Sequence, residues 1–81
     1  MADEQIFDRI DALVKEEHDL QHRAENSQGL DEDAHARMKE VEVQLDQCWD
    51  LLRRRRARRS AGQDPDDAQV RSGDTVEHYL Q

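Results

Sequence analysis

The chain contains few of the residues that interrupt or cross-link helices. Its 81 residues include one cysteine, one proline and three glycines. The single cysteine, Cys48, excludes an internal disulfide and fits a reducing compartment. Because proline and glycine are scarce, long uninterrupted helices are permitted.

Long apolar runs are also missing. A run of roughly 18 apolar residues, the length that spans a membrane, does not occur in the chain. The start, MADEQIFDRID, is acidic and has neither the basic residues nor the apolar core of a signal peptide. We therefore expect a cytoplasmic protein that does not bind membranes.

Charge is abundant but unevenly distributed. Charged residues make up 40% of the chain and hydrophobic residues 35%, proportions that fit helices with a narrow apolar stripe better than a thick core. Residues 1–52 carry a formal charge of −10, residues 53–59 carry +6 and residues 60–81 carry −4, which gives the net −8. The basic segment, RRRRARR, is thus an exception in an acidic chain.

Two heptad patterns predict an all-α protein with two long helices. The first helix is predicted over about residues 3–26 and the second over about residues 31–59, with NSQG at 26–29 as the turn between them. Asp31 is the predicted N-cap of the second helix, and Ser60-Ala61-Gly62 ends it. We call the inward heptad positions of both helices the seam. They are Ile6, Ile10, Leu13, Glu17, Leu20 and Ala24, followed by Ala34, Met38, Val41, Leu45, Cys48 and Leu52.

Because the turn is short, the two helices are expected to form an antiparallel hairpin over residues 1–60. Pairing the seams in one register sets Leu13 opposite Leu45, and the next heptad step sets Asp3 opposite Arg55. Glu17 is the polar exception in the seam. It either fixes the register at a cost in stability or lies partly exposed near the turn.

One hairpin with so narrow a stripe buries too little apolar surface to offset the entropy of ordering it. We therefore predict that two hairpins dimerise into a four-helix bundle, or that one hairpin docks on a partner. The apolar side chains that flank or oppose the seam are the candidate protein interface: Phe7, Val14, Trp49 and Leu51.

Residues 61–81 have no sustained hydrophobic period. Asp64 and Pro65 predict one short helical turn. The remainder is expected to be a mobile acidic tail, with Val76, Tyr79 and Leu80 available for weak docking.

The arginine run is the candidate site for a polyanion or an acidic protein partner, since guanidinium groups bind phosphates and carboxylates well. Its members are Arg53, Arg54, Arg55, Arg56, Arg58 and Arg59. The alternative is internal: cations suit a helix C-terminus, and Asp3, Glu4, Asp8 and the acids of the tail lie close enough to neutralise several. Arg58 and Arg59 project furthest past the first helix, so they are the two most expected to stay unpaired.

No pattern predicts a metal, a cofactor or catalysis. His18 and His22 are four residues apart, a spacing that can share a metal, but both fall outside the seam. No nucleophile–base pattern, glycine-rich phosphate loop or cysteine cluster occurs. Cys48 is interpreted as a small core residue, so no enzymatic activity is expected.

The segment EVEVQLDQCWDLLRRRRARRSAGQDPDDAQVR resembles the central signature of a family of short actinobacterial proteins known only as a domain of unknown function. IFDRIDALVKEEHDL and LDEDAHARMKEVE resemble the family's start and middle. The resemblance implies a small, soluble, intracellular and helical protein, and it transfers no catalytic or binding residue.

The sequence therefore favours a non-enzymatic helical-hairpin protein that self-associates and acts as an interaction or adaptor module. The alternative hypothesis is a nucleic-acid- or ribonucleoprotein-associated factor that binds through the arginines. A third is that the acidic tail folds over the arginines and masks them.

Overall fold

The computed structural model of the chain describes residues 2–26 and 31–80, without the side chains of Asn26, Tyr79 and Leu80. Two long helices, α1 (Asp3–Asn26) and α2 (Glu32–Ser60), precede a 3₁₀ turn (Pro65–Asp67) and a short helix, α3 (Gly73–Leu80). The described residues form no strand, so the predicted all-α class is confirmed. The predicted turn at 27–29 and the restart at Leu30 lie outside the described residues, as do the side chains expected to dock at Tyr79 and Leu80.

Both ends of α2 follow local rules of capping. Asp31 is the N-cap, and its Oδ1 accepts a hydrogen bond from the backbone N–H of Ala34 at 2.7 Å, as predicted. At the other end, Gly62 adopts a left-handed φ of 73°. The N–H of Gln63 then donates to the carbonyl of Arg58 at 2.8 Å, which satisfies one of the last helical carbonyls.

The core between α1 and α2 is the predicted seam. Its buried members are Ile6, Ile10, Leu13, Leu20, Ala34, Val41, Leu45, Cys48 and Leu52. Ala24, Glu17 and Met38 are half-buried, which agrees with partial exposure of Glu17. At the open end of the hairpin, the guanidinium of Arg55 reaches the carboxylate of Asp3 at 2.6 Å. That ion pair confirms the predicted register.

A second contact joins the two long helices on one flank. The guanidinium of Arg37 donates to both carboxylate oxygens of Glu16, one of them at 2.7 Å. These hydrogen bonds lower the pKa of Glu16 and raise that of Arg37. Since both side chains are more than one-third exposed, the pair fixes alignment more than it adds stability.

The C-terminal segment departs from the prediction of a tail without regular structure. The 3₁₀ turn was expected, and Asp64 caps it by accepting from the N–H of Asp66 at 2.9 Å. However, α3 was not predicted, and it packs on α2 with Val76 only 2% exposed. An eight-residue helix has little intrinsic stability, so its formation here depends on this tertiary contact. We use C-terminal segment for residues 63–80.

The C-terminal segment packs on α2 beside the contact between the two long helices. The amide of Gln47 donates to the carbonyl of Arg71 at 3.0 Å, and Arg54 donates to the carbonyl of Gln69. As a result Leu51 is only 3% exposed and belongs to the hydrophobic core together with Ala68. The prediction that Leu51 serves an external interface is therefore wrong, because the chain's own segment already covers it.

The start of α3 approaches α2 very closely. A Cβ placed on Gly73 would lie 2.7 Å from Cγ1 of Val43, closer than carbon atoms pack. Glycine at this position is therefore what allows α3 to reach α2.

The helices of the described residues include none with the length and apolar character of a membrane span.

Candidate functional site

Arg55, the third residue of the arginine run, is an internal residue. It is only 4% exposed and donates to Oδ1 of Asp3 at 2.6 Å, to Oδ1 of Asp66 at 2.9 Å and to the carbonyl of Pro65 at 3.2 Å. These bonds raise the pKa of Arg55, while the bonds from Arg55 and then Arg59 lower the pKa of Asp3. Because its donors are used inside the protein, Arg55 does not contribute to a binding surface.

The second buried charge is Asp50, which is 2% exposed. Arg71 of the C-terminal segment donates to both of its carboxylate oxygens, to Oδ2 at 3.0 Å, and Arg54 donates to Oδ2 at 3.1 Å. The hydrogen bond from Arg71 lowers the pKa of Asp50, burial opposes that shift, and Arg54 lowers it further. Asp50 is thus a buried carboxylate whose hydrogen-bonding capacity is satisfied by cations, as burial of charge requires.

The remaining arginines of the run divide into engaged and available ones. Arg59 pairs with Asp3, which contradicts the expectation that it stays unpaired. Arg53 lies 3.9 Å from Asp50, the longest of the ion pairs, and its side chain is 58% exposed. Arg56 and Arg58 form no ion pair with any residue in 2–26 or 31–80. Internal charge complementation therefore accounts for half of the six arginines, Arg54, Arg55 and Arg59, and leaves three guanidinium groups partly or wholly available.

The largest exposed apolar side chains of the hairpin lie together on one side. Phe7 is 46% exposed, Val14 46% and Trp49 47%. The rings of Phe7 and Trp49 meet edge to face, with centroids 6.4 Å apart and planes at 76°, a favourable aromatic geometry. Val14 follows Phe7 by seven residues, so both lie on the same face of α1. We call Phe7, Val14 and Trp49 the aromatic face.

A groove runs along the opposite flank of the hairpin. It has a volume of about 160 Å³ and is lined by Ile6, Arg9, Gln44, Gln47, Cys48, Leu51 and Val70. Burial raises the pKa of the Cys48 thiol, and Arg9 opposes the shift. A thiol that stays protonated is a poor nucleophile, which agrees with the interpretation of Cys48 as a core residue.

The two histidines considered as metal ligands, His18 and His22, are exposed. His35 is exposed as well. In the part of the chain that the structure describes, no group of three or more histidine, cysteine, aspartate or glutamate side chains is arranged to hold a metal ion.

Sequence patterns did not indicate the carboxyl pair between α2 and α3. Hydrogen bonding with Asp46, then burial, raises the pKa of Glu77, and the charges of Asp46 and Glu42 raise it further while Lys39 opposes them. Oε1 of Glu77 is buried and has no hydrogen-bond partner among the described residues. No pattern in the amino-acid sequence relates these acids, because they are brought together only when α3 packs on α2.

The helices and charge clusters define a small all-helical protein, in which an antiparallel hairpin carries a docked C-terminal segment. The family model described as a protein of unknown function, DUF2630, matches residues 2–81. The chain belongs to this family, which confirms the resemblance found from its residues. It is also 40% identical over 78 residues to uncharacterised proteins of Mycobacterium tuberculosis and Mycobacterium bovis, covering 96% of this chain and 90% of each relative. No solved structure matches the chain.

Proposed function

We propose that the protein is a non-enzymatic cytoplasmic interaction module that self-associates into a dimer through the aromatic face. The observation that carries the proposal is the position of Phe7, Val14 and Trp49, which are each nearly half exposed on one side of the hairpin. Isolated apolar side chains at a surface are ordinary, but an exposed phenylalanine–tryptophan contact with a valine on the same face is typical of a protein interface.

The location of the C-terminal segment supports this side as the interface. That segment packs on other parts of α2, where it covers Leu51, buries Val76 and brings Glu77 beside Asp46. The aromatic face has no such cover within the described residues. A second hairpin packed there would place α1 and α2 of both copies side by side, as in a four-helix bundle.

Nucleic-acid binding through the arginines has less support. Arg55 is buried, Arg54 and Arg59 are engaged with carboxylates, and the net charge of −8 opposes the approach of a polyanion. Arg53, Arg56 and Arg58 remain as cations for an acidic protein partner or for a phosphate backbone.

Sedimentation velocity on matched valine variants tests the proposed dimer. Val14 on the aromatic face and Val70 on the opposite flank are 46% and 56% exposed, so the two variants introduce glutamate at positions of similar exposure. We expect the wild type to sediment as a dimer at about 10–100 μM, a range that corresponds to modest interface energies. Val14→Glu should yield monomers, and Val70→Glu should leave the dimer intact.

Circular dichroism of both variants shows whether the helices are retained. A wild-type chain that is folded and monomeric across this range of concentration would refute the proposal. Equal dimerisation of the two glutamate variants would exclude the aromatic face as the interface.

A further inference from the structure

The exposed surface of α2 beside the aromatic face carries a regular series of charges. Glu42, Asp46, Trp49, Arg53 and Arg56 follow one another at alternating spacings of four and three residues. This heptad spacing keeps all five on one side of the helix. All are exposed except Asp46, which is half-buried and lies against Glu77 of α3. We call these five residues the charged stripe.

The charged stripe is arranged symmetrically around Trp49, with opposite signs at its two ends. Asp46 precedes Trp49 by three residues and Arg53 follows it by four. Glu42 and Arg56 are each seven residues away, a distance of about 10 Å along a helix. Reversing the direction of α2 about Trp49 therefore exchanges acidic positions with basic ones.

We propose that two copies of this chain pair antiparallel along α2, with a two-fold axis beside Trp49. This inference rests on the proposed self-association and specifies its geometry. Arg56 of one copy then lies opposite Glu42 of the second copy, and Arg53 lies near Asp46 of the second copy. By the symmetry of a two-fold interface, each of these contacts occurs twice.

The charges select this orientation over the parallel one. In a parallel pair, Glu42 would face Glu42, and Arg56 would face Arg56 of the other copy. Juxtaposed like charges disfavour an interface strongly, whereas exposed opposite charges add only modest affinity. The charged stripe therefore acts mainly on orientation, and the aromatic face supplies the apolar contact.

The basic half of the stripe has capacity for such contacts. Arg56 makes no ion pair with the described residues, and the pair of Arg53 with Asp50 spans 3.9 Å. Asp50 is already satisfied by Arg54 and Arg71, so Arg53 can turn towards another carboxylate at little cost. The contact of Phe7 with Trp49 places two aromatic pairs next to the two-fold axis.

Charge reversal at positions 42 and 56 tests the arrangement. Glu42→Arg alone sets arginine against arginine in the homodimer, and Arg56→Glu alone sets glutamate against glutamate. Each variant should dimerise at least about tenfold more weakly than the wild type, because both symmetric contacts become repulsive. Arg58→Glu is the matched control, because Arg58 also lacks an ion pair with the described residues but lies off the stripe, four residues after Arg54.

Restoration of the opposite charges distinguishes pairing from a general effect of net charge. The double variant E42R/R56E should dimerise like the wild type. An equimolar mixture of the two single variants should form heterodimers, detected by sedimentation with one variant fluorescently labelled. Both arrangements again oppose an arginine at one position with a glutamate at the other.

The possible results separate the antiparallel register from self-association through the aromatic face. If the single variants weaken the dimer but neither combination restores it, the antiparallel register is wrong. If the single variants dimerise normally while Val14→Glu does not, self-association through the aromatic face stands and the register again falls. A monomeric wild type would overturn both.

Discussion

The close approach of α3 to α2 predicts that Gly73→Ala destabilises the protein when residue 43 is valine but not when residue 43 is alanine. Replacing Gly73 with alanine would place a Cβ 2.7 Å from Cγ1 of Val43 and 4.0 Å from Nε2 of Gln47. Valine is restricted in χ1, so Cγ1 does not move aside easily. We expect Gly73→Ala to push α3 away from α2.

Two opposing contributions determine how much Gly73→Ala changes the free energy of unfolding. Overpacking of this kind costs about 1–3 kcal/mol, and alanine in place of glycine gains at most about 1 kcal/mol of helix propensity. The loss is limited by the free energy of docking α3, in which burial of Val76 contributes roughly 1.5–3 kcal/mol. The free energy of unfolding should therefore fall by about 1–2 kcal/mol.

Removing Cγ1 of Val43 should abolish the destabilisation caused by Gly73→Ala. In a Val43→Ala background the close contact is gone, so Gly73→Ala should be neutral or slightly stabilising. Gly62→Ala is the control. Gly62 has a φ of 73°, and no heavy atom lies within 4 Å of the point that a Cβ would occupy. The cost of Gly62→Ala, about 1 kcal/mol, therefore comes from the backbone alone.

Urea denaturation followed by circular dichroism measures the free energy of unfolding of each variant, and hydrogen exchange at the amides of α3 locates the change. The effect of Gly62→Ala should be the same with valine or alanine at position 43. If Gly73→Ala is harmless in the wild-type background, or equally costly in both backgrounds, the close contact does not limit docking.

Three further predictions concern the buried charge, the thiol and the arginines. Because Arg71 and Arg54 lower the pKa of Asp50 below 3.8 against the effect of burial, the carboxylate contributes stability that is present above pH 3.8 and lost as the pH falls further. In urea titrations at several pH values, the wild type should lose this contribution to the free energy of unfolding in acid, whereas Asp50→Asn should not. Parallel dependence of the free energy of unfolding on pH in the two proteins would contradict the prediction. Cys48, buried and with a raised pKa, should react with a disulfide reagent at least about tenfold faster in urea than in buffer; equal rates would show an accessible thiol. If single-stranded RNA binds through the available arginines alone, the logarithm of its association constant should fall against the logarithm of the salt concentration with a slope no steeper than about −2. A steeper slope in fluorescence anisotropy titrations would mean that the internal ion pairs open.

The hairpin could be predicted because its information is local and periodic. The seam repeats over several heptads, Asp31 has the chemistry of an N-cap, and the pairing of Asp3 with Arg55 follows from counting along both helices. The exposed positions of Phe7, Val14 and Trp49 follow from the same periodicity. These features need no knowledge of distant contacts beyond the antiparallel direction.

The C-terminal segment could not be predicted in the same way. Only Val76 of α3 is described as fully buried, and one apolar position does not define a period. Asp50 lies outside the seam and so resembles a solvated acid in the sequence, while its partner Arg71 is 21 residues further along the chain. Leu51 was assigned to an external surface for the same reason: its cover, the C-terminal segment, had no detectable pattern.

The buried guanidinium of Arg55 connects three parts of the molecule that are distant in sequence. It holds Asp3 at the start of α1 and Asp66 after the end of α2 at the same time. During synthesis, therefore, the hairpin cannot complete this set of bonds until residue 66 has left the ribosome. The open end of the hairpin is finished late, after most of the chain has been made, and the start of α1 remains incompletely held until then.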